Sequence, residues 1–229
     1  MFLTKIDLDP SRRLARKYLA SPQVMHAVIM KAAQSGGPNP SGRVLWRVDR
    51  SMASTRLFLL SPDRPDCSQI VTDAGLSMTQ AVSLDYNPFL NKLESGQTWV
   101  FRLTANPSRS VSNGIGKRGK LHGHVTVEQQ RQWLIERADR LGFALNTVNR
   151  ESPDESTYSV TVTQRSRPVF GRDNPHNHVR DRVTINKTVY EGLLRVTDVE
   201  VFRNSLTAGI GRSKAYGCGL MTLAKVRES

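Results

Sequence analysis

The order in which two-residue and 3.6-residue hydrophobic periods follow one another constrains this chain more than any single motif. Phe2–Leu8 alternates apolar and polar side chains and predicts a strand. Ser21 and Pro22 suit an N-cap and a first helical position, so a helix is expected from Ser21 to about Ala33, stopped by Gly36, Gly37, Pro38 and Pro40. Val44–Val48 and Thr55–Leu60 predict two strands joined by a turn over Arg50–Ser54. A weaker helix is expected over Pro88–Leu93 and a clear strand over Thr98–Thr104. The order is β-α-β-β-α-β, the split βαβ or ferredoxin-like plan.

Asn106–His124 is rich in Gly, Ser, Arg and Lys and predicts a mobile loop between halves. Thr126–Leu141 is a strong helix, with a capping Thr126, acidic Glu128 in the first turn, apolar Trp133, Leu134, Ala138 and Leu141, and Gly142 as its stop. Strands at Phe143–Val148, Tyr158–Gln164 and Val183–Val196, a short helix at Asp198–Leu206 and a last strand at Leu220–Val226 repeat a related order without a repeat in the sequence itself. The expected class is α+β, two tandem ferredoxin-like (RRM-like) domains with antiparallel sheets. The expected division is 1–105, carrying the candidate catalytic helix, a basic Gly-rich linker at 106–125, and 126–229 with a basic hairpin and a Gly-rich loop.

A chain of 229 residues can hold one large domain or two of about 100 residues. Lys and Arg number 33 against 20 acidic residues, a net charge of +13. Such a surplus repels itself unless a polyanion offsets it, so nucleic acid is the first partner to test. The charge is also uneven: 102–120 and 164–187 are dense in Arg and Lys, while 63–98 is nearly neutral. Cys67 and Cys218 have neither metal-ligand nor redox spacing. No apolar run approaches the roughly 18 residues of a membrane span, and the opening Met-Phe-Leu-Thr-Lys-Ile-Asp has no long signal core. A cytoplasmic protein with reduced thiols is expected.

His26 lies in mid-helix, roughly 130° from the centre of the stripe formed by Val24, Met25, Val28, Ile29 and Ala32, so it points off the core. A histidine can give or take a proton near neutral pH, as phosphodiester cleavage requires. A lone helical histidine is also an ordinary surface or packing residue. His122/His124 and His176/His178 have a spacing a metal could use on a strand, but no carboxylate or thiol accompanies them, and they read as solvated loop residues.

Two basic features point to RNA. Gly209-Ile-Gly211-Arg212-Ser-Lys214-Ala-Tyr-Gly217-Cys-Gly219-Leu220 pairs glycines, which let a backbone approach a phosphate, with two cations. It follows a helix and precedes a strand, the reverse of a dinucleotide fingerprint, and it lacks the Gly-Lys-Ser/Thr of a Walker loop. Gln164–Arg172, with Arg165, Arg167 and Arg172, returns through Arg180, Arg182 and Lys187 as a basic hairpin suited to phosphates and to guanine edges at the end of a folded RNA. A solvated charged hairpin would read the same way.

The 209–220 run resembles the C-terminal glycine-rich signature of CRISPR repeat endoribonucleases. Phe2-Leu-Thr-Lys-Ile, Ser21-Pro-Gln-Val-Met-His26, Arg102-Leu-Thr-Ala-Asn-Pro-Ser-Arg109, Gly116-Lys-Arg-Gly119 and the 126–143 helix ending Leu-Gly-Phe resemble the CasE branch of type I-E Cascade, over nearly the whole chain. The resemblance implies two ferredoxin-like domains and cleavage of precursor CRISPR RNA just 3′ of the repeat stem. It also implies a product held within Cascade beside the other subunits, and a protein that is monomeric when free. His26 would be the catalytic histidine, with Lys31 and Tyr18 as secondary candidates. The family often carries a tyrosine three residues earlier, where this chain has Gln23. RNA contacts would come from Arg165, Arg167, Arg172, Arg182, Gly209, Gly211, Arg212 and Lys214. The substrate's own 2′-hydroxyl would attack, giving a 2′,3′-cyclic phosphate with no cofactor or metal. The alternative is a non-catalytic RNA-binding subunit of a ribonucleoprotein complex. A base-stacking RRM is disfavoured by an aromatic content of 7% and the absence of an RNP1 pattern.

Overall fold

The computed structural model describes residues 1–34, 42–112, 114, 120–145, 147–149, 156–173 and 180–226. The chain forms β1 (Phe2–Leu8), α1 (Arg13–Ala20), α2 (Pro22–Ala33), β2 (Leu45–Arg50), β3 (Thr55–Ser61), α3 (Ser68–Ala74), β4 (Val82–Asp85), α4 (Asn87–Asn91), β5 (Thr98–Ala105), β6 (Ser108–Val111) and β7 (Lys120–Gly123). Then come α5 (Val127–Ala138), β8 (Phe143–Leu145), β9 (Thr147–Asn149), β10 (Ser156–Tyr158), β11 (Val160–Ser166), β12 (Val169–Asp173), β13 (Arg180–Thr184), β14 (Lys187–Val196), α6 (Val199–Ala208) and β15 (Met221–Lys225). They make two compact units. One is Met1–Lys92 with Val169–Val183 and Ser213–Leu220; the other is Leu93–Pro168 with Thr184–Arg212 and Met221–Ser229.

In the first unit β1–β4 form one antiparallel sheet in the order β2-β3-β1-β4, the ferredoxin-like order. Side chains alternate across a strand, so Ile6, Leu8, Trp46, Leu57 and Leu59 share one face. That face packs with Ala15 and Tyr18 of α1, Met25, Ile29 and Ala32 of α2, and Ile70 and Ala74 of α3 to form the core.

Three details differ from expectation. The second helix and fourth strand are Ser68–Ala74 and Val82–Asp85, not Pro88–Leu93 and Thr98–Thr104. The helix α3 has no side-chain cap, and β4 is an edge strand without a buried face, so neither carried a sequence signal. α1 was also missed, because only Ala15 and Tyr18 of its eight residues are buried.

The strand Thr98–Ala105 belongs to the second unit, where it is central. It pairs with β14 on one side and β15 on the other. The boundary expected at 105 therefore falls at 92, and the second unit has its own β-α-β-β-α-β order. β8 pairs with the end of β14 and β11 with its beginning, both opposite β5, as one interrupted edge strand. The sheet thus runs β8/β11-β14-β5-β15, the same order as in the first unit. Its core holds Phe101, Leu103, Trp133, Leu134, Phe143, Tyr190, Leu194, Phe202 and Leu206.

α5 begins at a capping box between Thr126 and Gln129. Gly142 closes the turn after it at φ 82°, and a Cβ there would lie 2.5 Å from Asp198 O and Phe202 N, so only glycine fits. The expected loop at 106–124 contains the β6–β7 ribbon, with Arg109 opposite His122. Residues 116–119 and the His176/His178 pair lie outside the described residues.

Candidate active site

Ser21 caps α2 as expected, its hydroxyl accepting the Val24 N–H at 3.4 Å. The cap sets the rotation of the helix. Met25 and Ile29 enter the core, and His26 stands half-buried on the neighbouring flank. His26 and Met30, one turn apart, wall a concavity of about 360 Å³ with Gly42, Arg43, Val44, Lys214 and Ala215.

Lys214 comes from the glycine-rich run. Ser213 adopts a left-handed conformation at φ 62°, a single 3₁₀ turn follows over Lys214–Tyr216, and Gly217 leaves it at φ 78°. This turn packs against α2 and β2. The Tyr216 ring meets Phe170 of β12 edge-on, with centroids 4.7 Å apart. Behind it lies Arg47 of β2, whose side chain is 1% exposed. It donates to both carboxylate oxygens of Asp49, at 2.7 and 2.9 Å, and to the Leu220 carbonyl at 3.0 Å. Arg47 thereby ties the end of the glycine-rich run to the first sheet.

Burial disfavours a charged imidazole and holds the His26 pKa below the ordinary histidine value. Its buried Nδ1 has no hydrogen-bond partner among the described residues. Burial, and then the Arg43 guanidinium, lower the Lys214 ammonium from the usual lysine value. Among the described residues, the lining thus combines an imidazole held towards neutrality with two cations and includes no carboxylate. That donor set suits a phosphodiester far better than a divalent cation, which prefers oxygen ligands.

The two secondary candidates are elsewhere. Tyr18 is a core residue whose hydroxyl donates to Asp73, and burial followed by Asp73 push its pKa up to about 12. Lys31 lies five residues beyond His26, on another flank of the helix, where it lines a separate concavity with Asp66, Gln69 and Asp73. Neither belongs to the His26 lining.

Of the expected RNA contacts, Arg165 and Arg167 are exposed on and just after β11, and Arg182 is exposed on β13. Arg172 lies on β12, which pairs with β13 as a two-stranded ribbon shorter than the hairpin expected from Gln164 to Lys187, because Gln164–Ser166 of β11 and Lys187 of β14 are held by their own pairing in the second unit's sheet. Gly209 and Gly211 both adopt φ 79°, and Arg212 is exposed. A Cβ at Gly211 would meet the Trp133 ring at 3.1 Å, so packing as well as phosphate approach calls for glycine there. His122 is exposed on β7, whereas the His124 carbonyl accepts from Gln130 and Asn186, which makes it a structural anchor. Cys67 and Cys218 are buried and unpaired with each other. Sequence reasoning missed Arg43 and Arg47. Arg43 borders a Gly- and Pro-rich stretch without periodicity, and Arg47 sits in a strand where a buried charge has no distinctive pattern.

No helix among the described residues is long and apolar enough to cross a membrane. A family model described as CRISPR associated protein matches residues 1–225. The CRISPR-associated endoribonuclease Cse3 of Thermus thermophilus is 30% identical over 226 residues, covering 98% of this chain and 100% of that protein. The CRISPR system Cascade subunit CasE of Escherichia coli is 22% identical over 198 residues, covering 78% of this chain and 94% of that one. Among solved structures, CRISPR endoribonuclease Cse3 bound to a 19-nucleotide RNA superposes with a TM-score of 0.79 at 27% identity, covering 98% of this chain and 100% of the other.

Proposed function

The chain belongs to the CRISPR associated protein family, and from that premise we propose that it is a metal-independent endoribonuclease of precursor CRISPR RNA. It cuts 3′ of the repeat stem and keeps the product as a subunit of a Cascade-type complex in the cytoplasm. The observation that carries this reading is the shared lining of His26, Arg43 and Lys214. An imidazole able to move a proton stands beside two cations able to hold an anionic phosphate, which is what attack by a 2′-hydroxyl requires.

The nucleophile belongs to the substrate. The protein must set the 2′-oxygen in line with the departing 5′-oxygen, spread the phosphate's charge, and supply proton transfers. His26, on a capped helix packed into the core, is held rigidly enough for that task. The exposed Arg165, Arg167, Arg182 and Arg212 supply phosphate contacts that fix where the stem sits.

The test is a labelled repeat hairpin incubated in EDTA beside the same RNA with a 2′-deoxy nucleotide at the scissile position. The native RNA should be cut once, 3′ of the stem, leaving a 2′,3′-cyclic phosphate or its hydrolysed form, while the deoxy RNA is bound and stays intact. Binding of both with cleavage of neither would leave a non-catalytic RNA-binding subunit. Affinity should also fall steeply with salt. With six or more phosphates neutralised, a rise from about 50 to about 200 mM should weaken binding by roughly 10³-fold or more. A flat response in a filter-binding titration would remove the basic ribbon and the glycine-rich run from the RNA interface.

A further inference from the structure

We infer that Lys214 is a catalytic residue, the general acid that protonates the departing 5′-oxygen, with His26 as the base and Arg43 as the fixed counter-charge to the phosphate. This assignment rests on the endoribonuclease reading above and gives each group lining the concavity a separate task.

Transesterification needs two proton transfers on opposite sides of phosphorus and a positive charge between them. One histidine cannot serve both sides of an in-line displacement at once. His26, desolvated towards its neutral form, is ready to accept a proton and poorly stocked to give one. With His26 taking the proton on one side of phosphorus, the donor on the other side is another group of the same lining. Tyr18 is committed to Asp73, and Lys31 lines a different concavity. Arg43 shares the lining, but a guanidinium does not release its proton in water at any ordinary pH. Lys214 remains. An ammonium on a flexible four-carbon stem carries transferable protons. Burial and the neighbouring guanidinium both ease their loss, as a general acid requires. Its anchoring fits the role too. The turn over Lys214–Tyr216 is packed on α2, the helix that bears His26, and the end of its segment is tied down at Leu220 by buried Arg47.

The step balances as follows. The 2′-oxygen forms a bond to phosphorus as its proton passes to His26, and the bond from phosphorus to the 5′-oxygen breaks as that oxygen takes a proton from Lys214 Nζ. The products are a 2′,3′-cyclic phosphate and a 5′-hydroxyl. The enzyme is left with protonated His26 and neutral Lys214, and exchange with water restores both.

A sulfur leaving group tests this directly, because a thiolate departs without an acid. Single-turnover cleavage would be measured for the wild type and Lys214→Arg on the repeat hairpin, and on the same RNA with sulfur replacing the 5′-bridging oxygen. Lys214→Arg keeps the charge but not the transferable proton. It should bind the hairpin as the wild type does, cut the oxygen substrate roughly 10²-fold more slowly or worse, and cut the sulfur substrate at the wild-type rate. Full activity on the oxygen substrate, or an equal loss on both substrates, would overturn the acid role while leaving the endoribonuclease reading intact. Failure of the wild type to cut either RNA would instead overturn that reading, and this assignment with it.

Discussion

Replacing His26 with alanine should leave binding of the repeat hairpin within about twofold while slowing single-turnover cleavage by roughly 10²–10⁴-fold, the range expected for a positioned proton-transfer group. His26 is half-buried on the flank of α2, and the core contacts of that helix come from Met25, Ile29 and Ala32, so truncation should spare the fold. Arg43 and Lys214, which share the lining with His26, are untouched by the change.

A pH profile of wild-type kcat/KM adds a second reading of the same residue. Burial lowers the His26 pKa, so the imidazole is neutral at pH 7 and takes up its proton only below about 6.5, the ordinary histidine value. If His26 is the base, the rate falls as pH drops through that lowered value and is flat just above it. The same sign holds for stability. The unfolded chain binds the proton first as pH falls, so the contribution of the neutral, buried ring is present above about 6.5 and is lost as pH drops through the folded pKa. A His26→Ala protein that cuts at more than a tenth of the wild-type rate would remove the histidine from the chemistry.

The second large effect belongs to Arg47. Its guanidinium is almost wholly out of solvent and is satisfied by Asp49 and the Leu220 carbonyl, and it lies 5.3 Å from the centre of the Phe58 ring. Asp49 is itself only 19% exposed. Arg47→Ala would remove two donors from a poorly solvated carboxylate and one from the Leu220 carbonyl. Breaking such a buried pair from one side costs about 3–5 kcal/mol, far more than a surface ion pair contributes.

Urea unfolding should show a loss of that size in Arg47→Ala. Arg47→Ala/Asp49→Ala should recover part of it, because the stranded charge is then gone. Activity should fall further than stability alone explains, since the Leu220 anchor holds the segment bearing Lys214. A loss below about 1 kcal/mol would mean that water replaces the arginine at little cost, and the anchoring role would fall.

Much of the secondary structure was legible where a local rule suffices. The helix α2 begins at its Ser21 cap and Pro22, β1 spans Phe2–Leu8, and α6 follows its Asp198 cap, because capping and alternation act within a few residues. The flank of α2 that carries His26 was likewise legible, since helical geometry alone rotates it off the apolar stripe. The glycine-rich run and the net charge pointed to a polyanion for the same local reason.

Sheet membership was not legible. Thr98–Ala105 reads as a strand, but which sheet it joins depends on hydrogen bonds to Lys187–Val196 and Met221–Lys225, far along the chain. The weak elements α3 and β4, which complete the first sheet's order, carry no periodic signal. They are held by long-range partners instead, β4 by pairing with β1 and α3 by packing of Ile70 and Ala74 into the core.

The composition of the site divides in the same way. The sequence determined that His26 would face away from the core and that Lys214 would sit between two Gly-x-Gly pairs. Only the tertiary structure decided that Lys214 and Arg43, rather than Lys31 and Tyr18, share the concavity with His26. Lys31 and Tyr18 are close to His26 in sequence, but the helical rotation and the core direct them elsewhere. Lys214 is 188 positions away and arrives through a turn held by Arg47 and packed on α2.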